Sequence, residues 1–417
     1  MKNLAFLLLF LCSLLPKSVD IYPKTDSARF FNRPNTTYIV HDTIDLEENT
    51  IVMPMNCTLK IADKGYVTNG IIHGNNTRLS AKRRKVLGEN CTLTGKWTNK
   101  VVYGEWALPS DESIVANHGF TNIMILCSGT HTTHLYLPDV LYKVTAVDKS
   151  APIIVPSNVY WHNKATIKML PSSYEKYNIV LIDRTSNITI EGGRFIGDIA
   201  NHRGNTGEWG HGIKVRGGKN VELKSLECNE CWGDGIDLIE AYSDDGLPCI
   251  ICQNVNINNV RCLYNRRQGL SIEAAANVSV TNCEFAYTGK LLSTAPSAGV
   301  DIEPWNTEGQ KINSIRFNGC NVHNNVGKDV LCLPNMLFGK DYQIYKNEIL
   351  FKNCIVGTFV SWETNGLILS RCILTDSLKI SHSNNIDIEH SKIKYFKLQN
   401  NGNSVNLKGC NIEEGMP

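Results

Sequence analysis

The chain has 417 residues, with 42 Lys and Arg against 40 Asp and Glu, which gives a net charge of +2 at pH 7. This balance provides no overall field to attract nucleic acid or an anionic membrane, so we predict neither as a partner. The one basic run, residues 82–85, is interpreted as a solvated turn. A chain of roughly 400 residues exceeds an ordinary compact domain, but a repeating architecture can reach this length as a single unit.

A short charged start precedes an apolar run over residues 4–15. This pattern is typical of a secretory signal and is too short to span a bilayer. We therefore predict a signal peptide over residues 1–19 and an exported protein located in the periplasm, at the cell surface or outside the cell. No later apolar run in the sequence is long enough to cross a membrane.

Residues 37–97 contain short alternating strands, predicted at residues 43–46, 58–61 and 70–72, between Asn- and Gly-rich turns. We predict that residues 20–122 form an N-terminal β cap and a connector. A short helix is expected at residues 114–118.

One motif recurs through the second half of the chain. Residues 209–215 read WGHGIKV, residues 232–238 WGDGIDL, residues 266–272 RRQGLSI and residues 296–302 PSAGVDI. Each copy is a turn followed by apolar–polar alternation, the pattern of a strand with one buried face. The apolar anchors, which are Ile213, Ile236, Leu270, Val300 and Val330, advance by 23 to 34 residues. Such spacing predicts an all-β solenoid over residues 123–417.

A second strand of each coil is also visible. These strands are predicted near Ile188, Val221, Val255, Val278, Ile315, Ile349, Leu367, Ile386 and Val405. The longer intervals imply insertions at residues 240–252, 286–297, 303–311 and 333–346, and most of these begin where loops would wall a groove. Asn pairs such as Asn258-Asn259, Asn324-Asn325 and Asn384-Asn385 suit left-handed corners.

Fifteen cysteines in an exported chain raise the question of disulfides, and the spacing of Cys228, Cys231, Cys249 and Cys252 is that of a zinc ribbon. The strand frame favours another interpretation. Cys283, Cys320, Cys354, Cys372 and Cys410 fall at one inward position, where free cysteine behaves as a buried hydrophobe. Only Cys231, Cys249 and Cys252 escape this pattern, and a disulfide among them stays open.

The repeated motifs resemble those of a known family. Residues 233–237 resemble the N-T-D-G-I-D strand of polygalacturonases, residues 268–272 their H-G-L-S-I and residues 299–305 their G-V-R-I-K-T-W. The chain thus resembles the pectate-lyase-like superfamily, and within it the polygalacturonases and polysaccharide-degrading phage tailspikes. The resemblance implies a right-handed single-stranded parallel β-helix that acts on a polysaccharide, and it matches Asp234 to an aspartate that helps to activate water.

The chain also departs from that pattern. The family's Asp-Asp pair is absent, its His is Gln268, and its Arg and Lys are Asp301 and Glu303. In the family those cations hold a galacturonate carboxylate, so their replacement argues against an acidic sugar at that subsite.

The outward positions of the repeated strands predict a cluster of carboxylates. Successive coils lie ~4.8 Å apart and alternate residues ~6.6 Å apart, which offsets Asp237 from Glu273 by about 8 Å at the backbone. Inverting glycoside hydrolases separate their carboxyl groups by ~6.5–9.5 Å. We predict Asp234 and Asp237 as water-activating groups, and Glu273 or one of Asp301 and Glu303 as proton donor. Substrate contacts are predicted for Trp209, His211, Lys214, Arg216, Trp232, Arg266, Arg267, Gln268 and Trp305.

Two other functions stay open. A lyase or C5-epimerase acting on uronic acids would use Lys214 or a nearby Arg as base, and the acid cluster would then bind Ca²⁺. A surface adhesin or carbohydrate-binding scaffold would need no catalysis. The hydrolase requires no cofactor or metal. The sequence does not reveal the polysaccharide, the linkage or whether the chain forms a homo-oligomer.

Overall fold

The computed structural model describes residues 17–22, 31–242, 249–305, 309–335, 345–399 and 404–415. The chain divides into two compact units, residues 1–111 with 118–136, and residues 112–117 with 137–417. Most of the predicted signal peptide, residues 1–16, lies outside the described residues. The domain boundary predicted after residue 122 falls within the helix Asn117–Leu126.

The first unit is a small set of parallel strands. Its strands are Lys17–Ile21, Thr36–Val40, Thr43–Asp45, Thr50–Val52, Thr58–Ile61, Tyr66–Thr68, Gly70–Ala81, Cys91–Trp97, Val101–Tyr103 and Thr133–Leu137, with a 3₁₀ turn at Gly104–Trp106. The strands predicted near residues 43, 58 and 70 are present. The predicted helix at residues 114–118 is wrong in its bounds, because the helix instead continues to Leu126 with Phe120, Ile123 and Leu126 buried along one face.

The second unit consists of three parallel ladders, each contributed by one strand per coil. The first ladder contains Val159–Asn163, Ser186–Glu191, Lys219–Lys224, Cys252–Asn258, Ala275–Thr281, Ile312–Asn318, Ile349–Lys352, Asn365–Ser370, Asn384–Glu389 and Val405–Lys408. The second contains Leu141–Val144, Thr166–Met169, Arg194–Ile196, Glu227–Asn229, Arg261–Leu263, Glu284–Ala286, Asn321–His323, Ile355–Val356 and Asn411–Gly415. The third contains Ile153–Ile154, Lys176–Asp183, Trp209–Arg216, Ile236–Ile239, Gln268–Ile272, Ala298–Ile302, Val330–Cys332 and Phe359–Trp362. The long strands Ile373–Ser381 and Lys392–Gln399 continue both the second and the third ladder.

The predicted register is confirmed in both repeated frames. In the first ladder Ile188 pairs with Val221, Val221 with Val255, and the remaining predicted starts follow in order to Val405. In the third ladder Ile213, Ile236, Leu270, Val300 and Val330 are aligned in the same way. All of these pairings are parallel, and the unit is a right-handed parallel β-helix.

The interior of this helix is filled by stacked apolar side chains. Cys283, Cys320, Cys354 and Cys372 are buried in it and Cys410 is partly buried, while all the described cysteines are free thiols. Burial raises the pKa of Cys252 to about 12. Cys231 is also buried, whereas Cys249 is exposed.

Asparagines occupy left-handed corners of the coils. The predicted corner residues Asn259, Asn324 and Asn385 have φ of 55°, 58° and 53°. A further row stacks from coil to coil, since the Asn220 amide donates to Asn187 Oδ1 at 3.0 Å and receives a hydrogen bond from the Asn254 amide at 2.9 Å. Each corner therefore supports the next one.

Among the described residues, no helix has both the length and the apolar character needed to cross a bilayer. Three of the predicted insertions contain segments outside the described residues, at 243–248, 306–308 and 336–344. The prediction that these loops wall a groove therefore stays a prediction.

Candidate active site

The third ladder aligns polar side chains from neighbouring coils. Lys214 pairs with Asp237, Asp237 with Ser271, and Ser271 with Asp301. The backbone N–H of Glu273 donates to Leu238 O at 2.9 Å and that of Glu303 donates to Ile272 O at 3.2 Å, so these two glutamates continue the neighbouring column. The fold thus brings together the acids that the sequence predicts to cluster.

The acids of this cluster differ in solvent exposure. Asp234, Asp237 and Asp301 are only 0%, 1% and 2% exposed. Glu273 and Glu303 are partly exposed. The two glutamates therefore lie closer to solvent than the three aspartates.

His211 lies between two of the buried acids. Its Nδ1 is 3.3 Å from Asp234 Oδ2, and its Nε2 is 3.6 Å from Asp237 Oδ2. The backbone N–H of Asp234 also donates to Nδ1 at 3.1 Å, which in the neutral ring leaves the proton on Nε2, facing Asp237. His211 was predicted to contact substrate at the groove, but it is 2% exposed and lies within the acid cluster.

Gly233, the residue before Asp234, leaves the space in which the His211 ring lies against Asp234. A Cβ on Gly233 would lie 2.9 Å from His211 Nδ1 and 2.6 Å from Glu208 O. Any larger residue would displace the imidazole. Gly233, which only the WGHG copy shares at this position, thus serves the site as well as the turn.

Lys214 neutralises the most buried end of the cluster. Its Nζ is 2.7 Å from Asp237 Oδ2, and the lysine side chain is 12% exposed. Burial alone would raise the pKa of Asp237, but Lys214 and His211 outweigh it and lower that pKa below its usual value. Burial would likewise lower the pKa of Lys214, but Asp237 raises it. Both groups are therefore charged at neutral pH.

Arg267 links the acid cluster to the preceding coils. Its Nη1 is 3.3 Å from Asp234 Oδ2 and 2.7 Å from Gln268 Oε1, while its Nε is 3.2 Å from Glu208 Oε2. The Gln268 amide in turn donates to Asp301 Oδ2. Burial would lower the pKa of Arg267, but Asp234 and Glu273 raise it. Gln268 and Arg267 thereby fix two aspartates from different coils.

The pKa values of Glu273, Asp301 and Glu303 are shifted in the direction opposite to that of Asp237. Burial and the neighbouring charge of Asp237 raise the pKa of Glu273 well above its usual range. Burial and Glu303 do the same for Asp301, and burial raises the pKa of Glu303. The cluster therefore combines a carboxylate whose pKa is lowered, Asp237, with a carboxyl group whose pKa is raised, Glu273.

Two predicted sugar contacts, Trp232 and Arg266, are buried. Trp232 is 1% exposed, its ring stacks on His202 at a centroid distance of 3.7 Å, and the Arg266 guanidinium lies 3.8 Å from the ring centroid. Arg266 is itself 6% exposed and donates to Gly207 O at 2.6 Å. Both side chains pack inside the coil because this tryptophan fills a space beside Tyr177 and Gly210.

Three other predicted contacts, Trp209, Arg216 and Trp305, remain accessible, whereas Gln268, like His211, is buried. Trp209 is 42% and Trp305 48% exposed. Arg216 is partly exposed but pairs with Asp183 on the preceding coil through two hydrogen bonds. These residues are available for binding along the third ladder, on both sides of the acid cluster.

Sequence reasoning missed four residues near the site. Glu208 binds Arg267, Glu240 binds both Trp305 and Lys311, and the Tyr242 ring packs against Trp305. Glu240 directly follows a strand of the repeated motif, and this position is the only feature of the sequence that points to it. The other three belong to irregular segments that carry no periodic pattern.

Two cations of the chain lie within the acid cluster. Ca²⁺ requires several free oxygen ligands. Here Lys214 Nζ contacts Asp237 Oδ2 and Arg267 Nη1 contacts Asp234 Oδ2, while the second oxygen of each aspartate has no hydrogen-bond partner. Among the described residues no group of three His, Cys, Asp or Glu side chains is arranged to hold a metal.

No known family model matches the sequence. Two curated Bacillus subtilis (strain 168) proteins are similar in part. The SPbeta prophage-derived uncharacterized protein YorA is 26% identical over 233 residues, 51% of this chain and 39% of its own length. The uncharacterized protein YclG is 29% identical over 163 residues, 37% of this chain and 28% of its own length. The chain thus spans well under half of the curated relatives that it matches.

Among solved structures, the A-module of the Azotobacter vinelandii mannuronan C-5 epimerase AlgE4 aligns with a TM-score of 0.52. It is 12% identical, and the alignment covers 75% of this chain and 95% of the module. The two share the parallel β-helix fold. An endo-xylogalacturonan hydrolase from Aspergillus tubingensis aligns at a TM-score of 0.47 with 9% identity, over 75% of this chain and 92% of the hydrolase. At these identities the likeness concerns the fold alone.

Proposed function

We propose that this protein is an exported enzyme that hydrolyses glycosidic bonds in a polysaccharide, with Glu273 as proton donor and Asp237 as base. One observation carries the proposal. Glu273 and Asp237 occupy neighbouring coils and neighbouring columns, and their surroundings shift their pKa values in opposite directions. Paired carboxyl groups of opposite ionisation are what acid–base glycoside cleavage requires.

The proposed reaction uses each group in the form that its surroundings favour. Glu273 is partly exposed and transfers its proton to the glycosidic oxygen as the bond from that oxygen to the anomeric carbon breaks. Water attacks the anomeric carbon from the opposite face and its proton passes to Asp237. The backbone offset of about 8 Å between the two positions leaves room for this water, and the product has inverted configuration.

The surrounding residues act through Asp237. Lys214 keeps it ionised at a distance of 2.7 Å, and His211 orients it from the other side at 3.6 Å. Asp234 holds His211 through its backbone N–H, and Arg267 holds the Asp234 carboxylate. We regard His211, Lys214 and Arg267 as positioning residues.

A lyase or epimerase is the second candidate, because one similar fold is that of a mannuronan C-5 epimerase. Its base would be Lys214 or an arginine. Asp237 raises the pKa of Lys214, and Asp234 and Glu273 raise that of Arg267, so both cations hold their protons at neutral pH and are poor bases. This argument favours hydrolysis.

The test compares Glu273→Gln and Asp237→Asn with Glu222→Gln, an acid on the first ladder outside the cluster. The release of reducing ends from a panel of exported and surface polysaccharides is measured. Each cluster variant should lose at least ~100-fold in turnover, the usual scale for a positioned acid or base. The control should keep wild-type activity. Full activity in Glu273→Gln, or glycan binding without any product from the wild type, would contradict the proposal.

A further inference from the structure

The ring of Trp305 is partly exposed, whereas its indole nitrogen is hydrogen-bonded to a buried carboxylate. The residue follows the strand Ala298–Ile302 and is 48% exposed. Its Nε1–H donates to Glu240 Oε1 at 2.5 Å, across 65 residues of sequence. Because that hydrogen bond consumes the only polar group of the indole, the exposed part of the side chain is purely an aromatic surface.

Glu240 is itself fixed by a buried ion pair. Its Oε2 is 2.5 Å from Lys311 Nζ, and the two residues are 0% and 7% exposed. Burying such a pair carries a desolvation cost that only good geometry offsets. Both oxygens of Glu240 are thus engaged, one with the cation and one with the indole. The carboxylate therefore sets the position of Trp305.

A second aromatic ring packs against Trp305. The Tyr242 ring meets Trp305 edge-to-face, with centroids 4.6 Å apart and an interplanar angle of 88°. Burial raises the pKa of the Tyr242 hydroxyl, and Glu240 and Glu273 raise it further. The position of the two rings relative to the acid cluster follows from the backbone. The carbonyl of Leu238, two residues before Glu240, accepts the Glu273 N–H at 2.9 Å, and Trp305 follows Glu303 by two residues.

We propose that Trp305 and Tyr242 form a sugar-binding subsite beside Glu273 that takes an uncharged pyranose ring, and that Glu240 is its positioning residue. An aromatic face without a free N–H recognises the apolar C–H face of a sugar. Lys311 is engaged by Glu240 at 2.5 Å and is 7% exposed, so it offers a sugar carboxylate little electrostatic compensation at this surface. The subsite rests on the proposed function for its substrate class, but its binding does not require catalysis.

The first test measures binding in the Glu273→Gln background, so that turnover plays no part. The probes are gluco-, galacto- and manno-oligosaccharides, with oligogalacturonate and oligomannuronate as acidic counterparts. We expect a neutral probe to bind, Trp305→Ala to weaken that binding at least ~10-fold, and Trp305→Phe to retain most of it. The matched control is Trp362→Ala, because Trp362 is 40% exposed on the same ladder outside the cluster. Binding of acidic probes only, no binding of any probe, or equal losses in Trp305→Ala and Trp362→Ala would overturn the subsite.

The second test isolates Glu240. The double variants Glu240→Gln/Lys311→Met and Glu240→Leu/Lys311→Met both remove the ion pair, but only the glutamine retains an acceptor for the indole N–H. We expect the glutamine variant to bind like the parent and the leucine variant to bind at least ~5-fold more weakly, at similar unfolding midpoints. Equal affinity in the two variants would remove the positioning role. If Glu273→Gln proves fully active, the hydrolase proposal fails while both binding results still decide the subsite.

Discussion

Lys214 Nζ lies 2.7 Å from Asp237 Oδ2, across two adjacent coils of the helix, with the aspartate 1% exposed. The pair occurs because the same strand frame repeats after 23 residues and aligns the two positions. A buried carboxylate held by one lysine is a strong constraint, since removal of either partner leaves the other charge uncompensated.

The first prediction concerns this pair. Lys214→Met should lower the free energy of unfolding by about 3–5 kcal/mol, because Asp237 then lies buried without its counter-charge. The double variant Lys214→Met/Asp237→Asn should recover most of the loss. Denaturant unfolding measures both, with Lys219→Met as an exposed control expected to change by less than about 0.5 kcal/mol. If Lys214→Met were as stable as Lys219→Met, the ion pair would make no contribution to the free energy of unfolding.

The second prediction is the pH dependence of stability. The folded pKa of Glu273 is raised, so its stabilising contribution is complete below the ordinary glutamate pKa, about 4.3, and is lost as the pH rises through the folded value. Asp237 has a lowered pKa, so its contribution is present above the ordinary value and is lost as the pH falls through the folded one.

Glu273→Gln should therefore gain stability relative to the wild type as the pH rises from about 4 to 8, since glutamine avoids the cost of a buried charge. Asp237→Asn should show the opposite trend. This variant should be less stable than the wild type at neutral pH, and the difference in unfolding free energy should shrink as the pH falls below about 4. Urea unfolding at a series of pH values measures both. Parallel curves for the wild type and Glu273→Gln would show that this carboxyl group does not differ between the folded and unfolded states.

The repeated frames explain why so much of the fold was predictable. Each V-x-I or I-x-I strand buries alternate residues, and a shift by one residue would turn Val255 or Val278 out to solvent, so the register follows from the sequence. The clustering of Asp237, Glu273 and Asp301 follows from the same frames. Their burial was not predictable, because it depends on how Lys214 and Arg267 lie across them.

Contacts between segments that do not repeat could not be predicted from the sequence either. Trp232 occupies the same motif position as the exposed Trp209, and nothing in the motif distinguishes an interior ring from an exposed one. The difference comes from His202, in a loop of an earlier coil, which stacks on Trp232. The hydrogen bond from Trp305 to Glu240 likewise joins the beginnings of two insertions whose sequences share no pattern.

The third prediction tests the asparagine corners. Asn220 has φ of 55°, a conformation that costs most L residues roughly 1–2 kcal/mol. Asn220→Ala should therefore destabilise the protein more than Asn220→Gly, although both lose the same side-chain hydrogen bonds. Thermal or denaturant unfolding measures the difference, expected to be about 1 kcal/mol. Equal losses would assign the whole effect to the hydrogen bonds.

The fourth prediction concerns the thiols. Cys249 is exposed, whereas Cys283, Cys320 and Cys354 are buried among apolar side chains. A thiol reagent should label Cys249 in the native protein and reach the other three only after unfolding. Mass spectrometry of labelled peptides locates the reaction, and Cys249→Ser is the control. Native labelling of Cys320 or Cys354 would contradict the stacked interior.

The chemistry of the product tests the central claim most directly. The purified protein is incubated with the polysaccharide panel, and the products are analysed by NMR while near-ultraviolet absorbance is recorded. Hydrolysis with Glu273 as donor and Asp237 as base predicts new reducing ends of inverted anomeric configuration and no absorbing double bond. An unsaturated, ultraviolet-absorbing product that persists in Glu273→Gln and disappears in Lys214→Ala would contradict the account and identify a lyase.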